Sequence, residues 1–114
     1  MFEYRVTRIE KEVDGDTIWL DVDLGFRVSM ELKFRLADID AWEIKGEERP
    51  LGLLSKAYLF ERVSPALENG EEVIVKTDRD KSGSYNRFLA TIYINGVNIN
   101  QEMVTEGHAV PYTK

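Results

Sequence analysis

The chain has 114 residues, a formal net charge of −6 and a hydrophobic share of 43%. This size and composition predict one folded domain, residues 1–114, and exclude a disordered tail. The absence of cysteine and the single histidine, His108, exclude disulfide frameworks, thiolate zinc sites and any site needing two imidazoles from this chain. Oxygen ligands remain for a metal, and these suit hard cations such as calcium or magnesium.

The charge and hydropathy patterns bear on location and partners. No apolar run approaches the roughly 20 residues of a membrane span, and charges throughout Met1–Lys11 argue against a signal peptide. We therefore expect a cytoplasmic monomer with no membrane partner, although a mature secreted form would have the same features. Residues 1–43 carry five of the six excess negative charges. Such an acid excess, taken alone, opposes tight non-specific binding of polyanions.

The first third of the chain is typical of β-structure. A segment around Tyr4–Ile9 is rich in β-formers, and the shifted parity of its apolar residues predicts a bulge or early twist. Asp14-Gly15-Asp16 is a turn signal. Apolar and polar residues then alternate over Ile18–Leu24 and again over Val28–Leu36, with Gly25 between them. This pattern predicts a three-stranded meander with one face inward.

The pattern changes to helical spacing in the middle of the chain. Arg49-Pro50 suits a helix start, and Pro65 predicts that the helix ends or kinks near Val63-Ser64. Beyond it we predict strands at Val73–Lys76 and Arg87–Ile94 and a helix capped by Asn98. The order predicts an α+β, mainly β fold: a five-stranded OB-fold barrel with a helix after strand 3 and a C-terminal helix. Four aromatic residues are expected in the core: Tyr4, Phe34, Phe60 and Phe88.

Two carboxylates are predicted to converge at one end of this sheet. Asp16 begins the second strand and Asp40 follows the third, so antiparallel pairing across Gly25 places both at the same end. Two close carboxylates repel each other, and a hard cation relieves that repulsion. An isolated Asp-Gly-Asp sequence is more often only a turn.

Three further charged residues complete a chemical set. Arg35 and Arg87 each lie on a strand, and a guanidinium matches phosphate oxygens bidentately. Glu43, three residues after Asp40, can accept a proton from water or orient that water. Each residue alone is consistent with an ordinary surface position. Together with a cation they are the groups that phosphodiester hydrolysis requires.

Three motifs carry a family resemblance: DGDT at 14–17, FRLADIDAWE at 34–43 and SYNRFLA at 84–90. In this order on this plan, the chain resembles the staphylococcal nuclease (thermonuclease) family from about Tyr4 to Tyr112. The resemblance implies a calcium-dependent nuclease on an OB-fold. Its substrate would be DNA, RNA or both, with single strands preferred, and its products would have 3′-phosphate and 5′-hydroxyl ends.

The resemblance also implies roles for individual residues. Calcium would be held by the side chains of Asp16 and Asp40 and the backbone carbonyl of Ala41. Catalysis would depend on Arg35 and Arg87, which bind phosphate, and on Glu43, the general base or water-positioning group. Tyr85 and Tyr112 would contact the nucleotide, and Asn100 would be structural. The chain departs from the family pattern at Trp42, at Asn86 and in its short, acidic 44–50 loop.

A different class of function stays open at this point. Family members that have lost catalysis serve as nucleic-acid- or protein-binding modules on the same fold. This chain retains Arg35, Glu43 and Arg87, which favours the enzyme. The three acidic and two basic site residues sum to −1, and one calcium ion would make the site +1. The remaining acid excess predicts weak, distributive binding of nucleic acid.

Overall fold

A computed structural model describes residues 2–78 and 88–112. Among these residues it contains a short 3₁₀ turn at Gly46–Glu48, two α-helices and several β-strands. The strands are β1 (Phe2–Asp14), β2 (Thr17–Gly25), β3 (Val28–Leu36), β4 (Ile39–Ala41), β5 (Val73–Asp78), β6 (Phe88–Ile94), β7 (Val97–Asn98) and β8 (Ala109–Pro111). The helices are α1 (Arg49–Glu68) and α2 (Ile99–Thr105).

Five of these strands form a closed barrel. β1 lies between β2 and β5, β2 also pairs with β3, and β5 also pairs with β6, all antiparallel. Parallel pairing of β3 with β6 closes the barrel, with Phe34 opposite Phe88 and Leu36 opposite Ala90. Helix α1 follows the third barrel strand, and α2 follows the fifth. The predicted OB-fold class is confirmed.

The barrel core follows the period-two pattern of its strands. Side chains that alternate along β2 and β3 point inward, and α1 and α2 pack against the barrel with their own apolar residues. The largest fully buried side chains are those of Val6, Ile18, Leu20, Val22, Phe34, Leu36, Leu59, Val63, Val73, Ile92, Ile99 and Met103.

Strand β1 contains the predicted irregularity. Its register against β2 shifts between Val6 and Arg8, and it shifts twice more before Asp14. Each bulge adds twist to the strand. The strongly twisted β1 can therefore pair with β5 through its first residues and with β2 through the rest.

The prediction that the apolar side chains of the β2–β3 hairpin point into the core is wrong at the tip of the hairpin. Leu24, Val28 and Met30 are exposed, and Phe26, at the turn, is 99% exposed. The pattern predicts which side chains share a face, but here the hairpin extends past the core that would cover that face. Phe60 and Phe88, expected in the core, are also exposed, at 38% and 43%, whereas Phe34 is fully buried.

Helix α1 continues past the predicted end. It runs to Glu68, with Pro65 inside it. Proline removes one backbone donor from the helical ladder, yet Asn69 N–H still donates to the Pro65 carbonyl at 2.9 Å. Val63 and Ala66, on either side of the proline, are both buried in the core. Burial of apolar side chains here outweighs the local helix-breaking preference.

A polar network joins the two helices. The Tyr58 hydroxyl donates to Glu102 at 2.6 Å, and Arg62 donates to both oxygens of the same carboxylate. The pKa of Tyr58 is raised to about 12, mainly by partial burial and next by the hydrogen bond to Glu102. Hydrogen bonds from Arg62 lower the pKa of Glu102 below its ordinary value. His108 stacks on Tyr58 at 4.4 Å between ring centroids.

Within the described part of the chain, neither helix combines the length and the apolar character needed to cross a bilayer.

Candidate active site

Strand pairing brings the predicted site residues to one end of the barrel. Asp16 lies in the turn that joins β1 to β2, and Thr17, directly after it, pairs with Arg35 of β3. The Leu36 N–H donates to the Asp16 carbonyl at 2.8 Å, which joins the turn to the end of β3. Asp40 lies in β4, which pairs with β8 near the C-terminal end of the described chain.

Asp16 is a buried acid. It is only 7% exposed, and its Oδ2 accepts a hydrogen bond from the Ala41 N–H at 2.9 Å. Its Oδ1 accepts a longer bond from the Thr17 hydroxyl at 3.3 Å. The pKa of Asp16 is raised to about 7, mainly by burial and next by the neighbouring Asp14, while the Ala41 N–H and Arg35 oppose the shift. The Ala41 N–H and the arginine therefore compensate only part of the lost hydration of this carboxylate.

Arg35 lies between two carboxylates. Its Nη1 is 3.4 Å from Asp16 Oδ2, and its Nη2 is 3.6 Å from Asp40 Oδ1. Nη1 also donates to the Leu36 carbonyl at 2.8 Å. Asp16 and Asp40 thus face one cationic group, at the end of the sheet where hairpin pairing predicted that they would meet.

Tyr112 adds an aromatic ring to this group. The Arg35 guanidinium carbon is 5.8 Å from the centre of the Tyr112 ring, within cation–π range. The Tyr112 N–H donates to the Asp38 carbonyl at 2.9 Å, which extends the β4–β8 pairing. The ring is partly exposed, so one part of it contacts Arg35 while another part faces solvent.

Glu43 lies just beyond β4 and is exposed. Its backbone N–H donates to Glu48 Oε1 at 3.0 Å. Within residues 2–78 and 88–112, its carboxylate makes no hydrogen bond or ion pair, so it is available to solvent. Trp42, the residue before it, donates from Nε1 to the Gly107 carbonyl at 3.1 Å. Tyr85 and Arg87, also predicted site residues, lie outside the described part of the chain.

Asn100 supports the backbone around the site. It is buried, accepts a hydrogen bond from the Ile92 N–H at 3.1 Å, and donates to the Ala37 and Ala90 carbonyls, both at 3.0 Å. These bonds join α2 to β6 and to the turn before β4. This arrangement is consistent with the structural role that the family resemblance implied.

Sequence reasoning missed two features. Thr17 contributes the hydroxyl that reaches Asp16, and its signal was its place in the DGDT motif. The second is an acidic cluster of Glu10, Asp21 and Glu31, whose carboxylate oxygens all lie within 4.8 Å of one another and which could hold a metal ion. Its signal was the hairpin register, which places Asp21 opposite Glu31.

This acidic cluster is not the predicted calcium site. Asp21 lies four residues along β2 from Thr17, about 13 Å away at the usual rise of a strand. Glu10 Oε1 is 2.8 Å from Arg8 Nε. Loss of hydration raises the pKa of Glu10 and Arg8 lowers it, while Asp21 and Glu31 raise it further.

Comparison with known proteins identifies the family. A family model described as staphylococcal nuclease homologue matches residues 33–114. The match includes Arg35, Asp40, Ala41 and Glu43, and it begins after the turn that holds Asp16. Comparison with curated proteins gives no match. Because the family model covers well over half of the chain, and the barrel has the expected architecture, the protein belongs to the staphylococcal nuclease family, a family of nuclease-like hydrolases.

Proposed function

We propose that residues 1–114 form one domain that acts as a calcium-dependent nuclease. It would hydrolyse phosphodiester bonds of DNA, RNA or both, with a preference for single strands, and leave 3′-phosphate and 5′-hydroxyl ends. The observation that supports this most is the group of Asp16, Arg35 and Asp40, in which a buried carboxylate and an exposed one face a single guanidinium. Membership of the staphylococcal nuclease family supports hydrolysis of nucleic acid as the reaction of this group.

The site residues fit a calcium ion. Their donors are oxygens, which calcium prefers, and two of them are carboxylates. The raised pKa of Asp16 indicates that the groups of the chain around it do not fully compensate its charge. Arg35 already places positive charge against both carboxylates. Asp16, Asp40 and the Ala41 carbonyl would hold the ion.

The residues of the chain would then divide the work of hydrolysis. Bound calcium would supply positive charge close to the scissile phosphate. Arg35, with Arg87 as its proposed partner, would bind the non-bridging oxygens and stabilise the negative charge that grows on them. Glu43, with its exposed carboxylate, would accept a proton from the attacking water. As the bond from water to phosphorus forms, the bond from phosphorus to the 5′-oxygen breaks, and this oxygen takes up a proton from solvent to leave as a hydroxyl.

Arg35 has to change partners in this scheme. In the structure its guanidinium faces Asp16 and Asp40. A cation bound to these carboxylates would compete with the guanidinium and free it for phosphate. We therefore expect calcium to raise the affinity for a nucleotide phosphate, and the nucleotide to raise calcium affinity by the same factor, because linkage is reciprocal.

The direct test is a metal-dependence assay with product-end analysis. A labelled single-stranded DNA and a matched RNA are incubated with the folded chain, with calcium and with chelator. Cleavage only with calcium, leaving 3′-phosphate ends, is expected. Absence of cleavage at every calcium concentration would contradict the proposal. Tight calcium-independent binding without turnover would instead support the non-catalytic binding module.

The acid excess limits how the substrate is held. With calcium bound, the site is expected to be locally positive while the rest of the chain remains acidic. Long-range attraction of nucleic acid is then weak. We expect the substrate Kd to vary only weakly with salt concentration, and a steep dependence indicating many phosphate contacts would contradict distributive binding.

A further inference from the structure

Gly52 of α1 lies directly against the backbone of Glu43. A Cβ built on Gly52 would overlap the Glu43 carbonyl group and would lie 2.7 Å from the Ile44 nitrogen. Gly52 is buried in a helix, so its φ is one that any residue adopts. In a helix interior glycine is less favourable than alanine by about 1 kcal/mol. The close approach to Glu43 is therefore the physical reason that a residue without a side chain fits here.

Two side chains before Gly52 hold the same piece of backbone. Glu48 Oε1 accepts the hydrogen bond from the Glu43 N–H at 3.0 Å. Arg49 Nη1 donates to the Ile44 carbonyl at 3.1 Å. Side chains of α1 and the turn before it thus bind the Glu43 N–H and the Ile44 carbonyl. Gly52 contacts the peptide group that joins these two residues.

The next turn of α1 packs against the Asp16 side of the site. Ser55 is buried, and a Cβ built on Gly15 would lie 2.7 Å from Ser55 Cβ and 2.9 Å from Ala41 Cβ. Helix α1 therefore contacts the turn that carries Asp16 through Ser55, and the Glu43 backbone through Gly52. The helix therefore spans both halves of the candidate site.

We infer that Gly52 is a positioning residue: by letting α1 approach the Glu43 backbone, it sets where the Glu43 carboxylate lies relative to Asp16 and Ala41. This inference rests on the proposed function of Glu43. It predicts that the start of α1 controls the catalytic step without contacting substrate or metal. A side chain at position 52 would displace the Glu43 backbone, and small displacements of catalytic groups cost up to about 10²-fold in rate.

The first experiment compares Gly52→Ala with Leu53→Ala. Leu53 is an exposed neighbour on the same helix, so Leu53→Ala controls for a substitution in this turn of α1. We expect Gly52→Ala to lower kcat by about 10-fold or more, with KM and calcium affinity within about 2-fold. Leu53→Ala should keep wild-type kcat. A wild-type kcat in folded Gly52→Ala would overturn the inference.

A double-mutant cycle separates positioning from general loosening of the fold. If Gly52 acts through Glu43, Gly52→Ala should cause little further loss in a Glu43→Gln background, because coupled residues are not additive. A merely structural role would lower the rate by the same factor in both backgrounds, and that result would also overturn the inference.

Two further measurements apply if Gly52→Ala does not fold. Glu48 is exposed, and Glu48→Ala removes the acceptor for the Glu43 N–H, whereas Glu48→Gln retains an acceptor oxygen without the charge. We expect Glu48→Ala to lower kcat several-fold at unchanged KM, and Glu48→Gln to restore most of it. Equal rates in the two variants would count against the positioning contact.

The placement can also be tested without activity. Amide resonances of Glu43 and Ile44 in the metal-free chain should shift in Gly52→Ala or Glu48→Ala and not in Leu53→Ala. Unshifted resonances would refute the placement. Shifted resonances in a chain that cleaves no nucleic acid would support the placement while rejecting the proposed nuclease.

Discussion

Two groups of carboxylates, one beyond the strand ends and one along strands β1, β2 and β3, differ in their surroundings. At the end of the barrel, buried Asp16 and exposed Asp40 face Arg35, with the Ala41 N–H bonded to Asp16. Along the strands, Glu10 of β1, Asp21 of β2 and Glu31 of β3 form an outer group whose carboxylate oxygens lie within 4.8 Å of one another. Arg8, largely exposed, is the cation paired with that outer group.

This difference shows that the number and proximity of carboxylates do not by themselves make a catalytic metal site. In the outer group Glu31 is exposed and the largely exposed Arg8 pairs with Glu10, so solvent and a cation both reduce the repulsion between its charges. Asp16 is buried, which removes its hydration, and the Ala41 N–H holds it in place. In the proposed function, a cation bound at Asp16 would replace this lost hydration, and its charge would assist Glu43 and Arg35.

The largest expected effect is on catalysis at the inner group, which consists of Asp16, Asp40 and Arg35. Glu43→Gln removes the proton acceptor and should lower kcat by about 10²–10⁴-fold, the usual contribution of a general base. Calcium affinity, measured by titration calorimetry, should change by no more than about 3-fold. Glu31→Gln, which removes a charge from the outer group, is the matched control. A near-wild-type rate for Glu43→Gln would remove this residue from the mechanism.

The next effect is on the calcium requirement. Asp40→Ala removes a proposed calcium ligand whose side chain is 54% exposed, so the fold should survive. We expect the calcium concentration for half-maximal activity to rise on the order of 10-fold or more, because a charged oxygen ligand is lost. Asp21→Ala, in the outer group, should leave it unchanged. The reverse outcome would transfer the functional metal site to the outer group.

The third effect is on the pH dependence of stability, which should distinguish the inner group from the outer group. The pKa of Asp16 is raised from 3.8 to about 7 in the folded chain. Its contribution to stability is therefore greatest below about pH 4 and is lost as pH rises towards 7. Asp16→Asn should remove this loss and stabilise the metal-free chain at pH 8 by up to about 4 kcal/mol, from roughly three pKa units. Urea unfolding of both proteins at pH 5 and pH 8, with chelator, measures the difference.

Two results would contradict this interpretation of Asp16. One is an equal stability gain from Asp16→Asn at pH 5 and pH 8. The other is a destabilised variant at pH 8, which would show that hydrogen bonds to the carboxylate outweigh its burial. Glu102, whose pKa is lowered, contributes the opposite pH dependence, so only the difference between wild type and variant is informative.

The smallest expected effect belongs to the outer group. Glu31→Gln should slightly raise Tm in low salt because it removes like-charge repulsion between the exposed Glu31 and the other two carboxylates of this group, and added salt should reduce the gain. A matched low-salt and high-salt thermal melt measures this. A large fall in Tm would indicate that Glu31 holds the strands together, and would make the outer group a structural element.

Several features of the fold were predictable because they depend on local patterns. Alternation along Ile18–Val22 and the glycine turn predict the meander, and the helical spacing after Arg49 predicts α1. Prediction failed for the end of α1 and for Phe60 and Phe88, because the burial of these residues depends on where the rest of the core lies. Pro65 was tolerated for the same reason.

For the site, the sequence alone determined the residue types, their order and, through hairpin register, the meeting of Asp16 with Asp40. The tertiary structure decided that Asp16 is buried, that Arg35 faces both acids, and that α1 reaches Glu43 through Gly52. It also separated the outer acidic cluster from the inner group. The physical reason is that register is a local, periodic property, whereas burial and close approach depend on how distant elements pack.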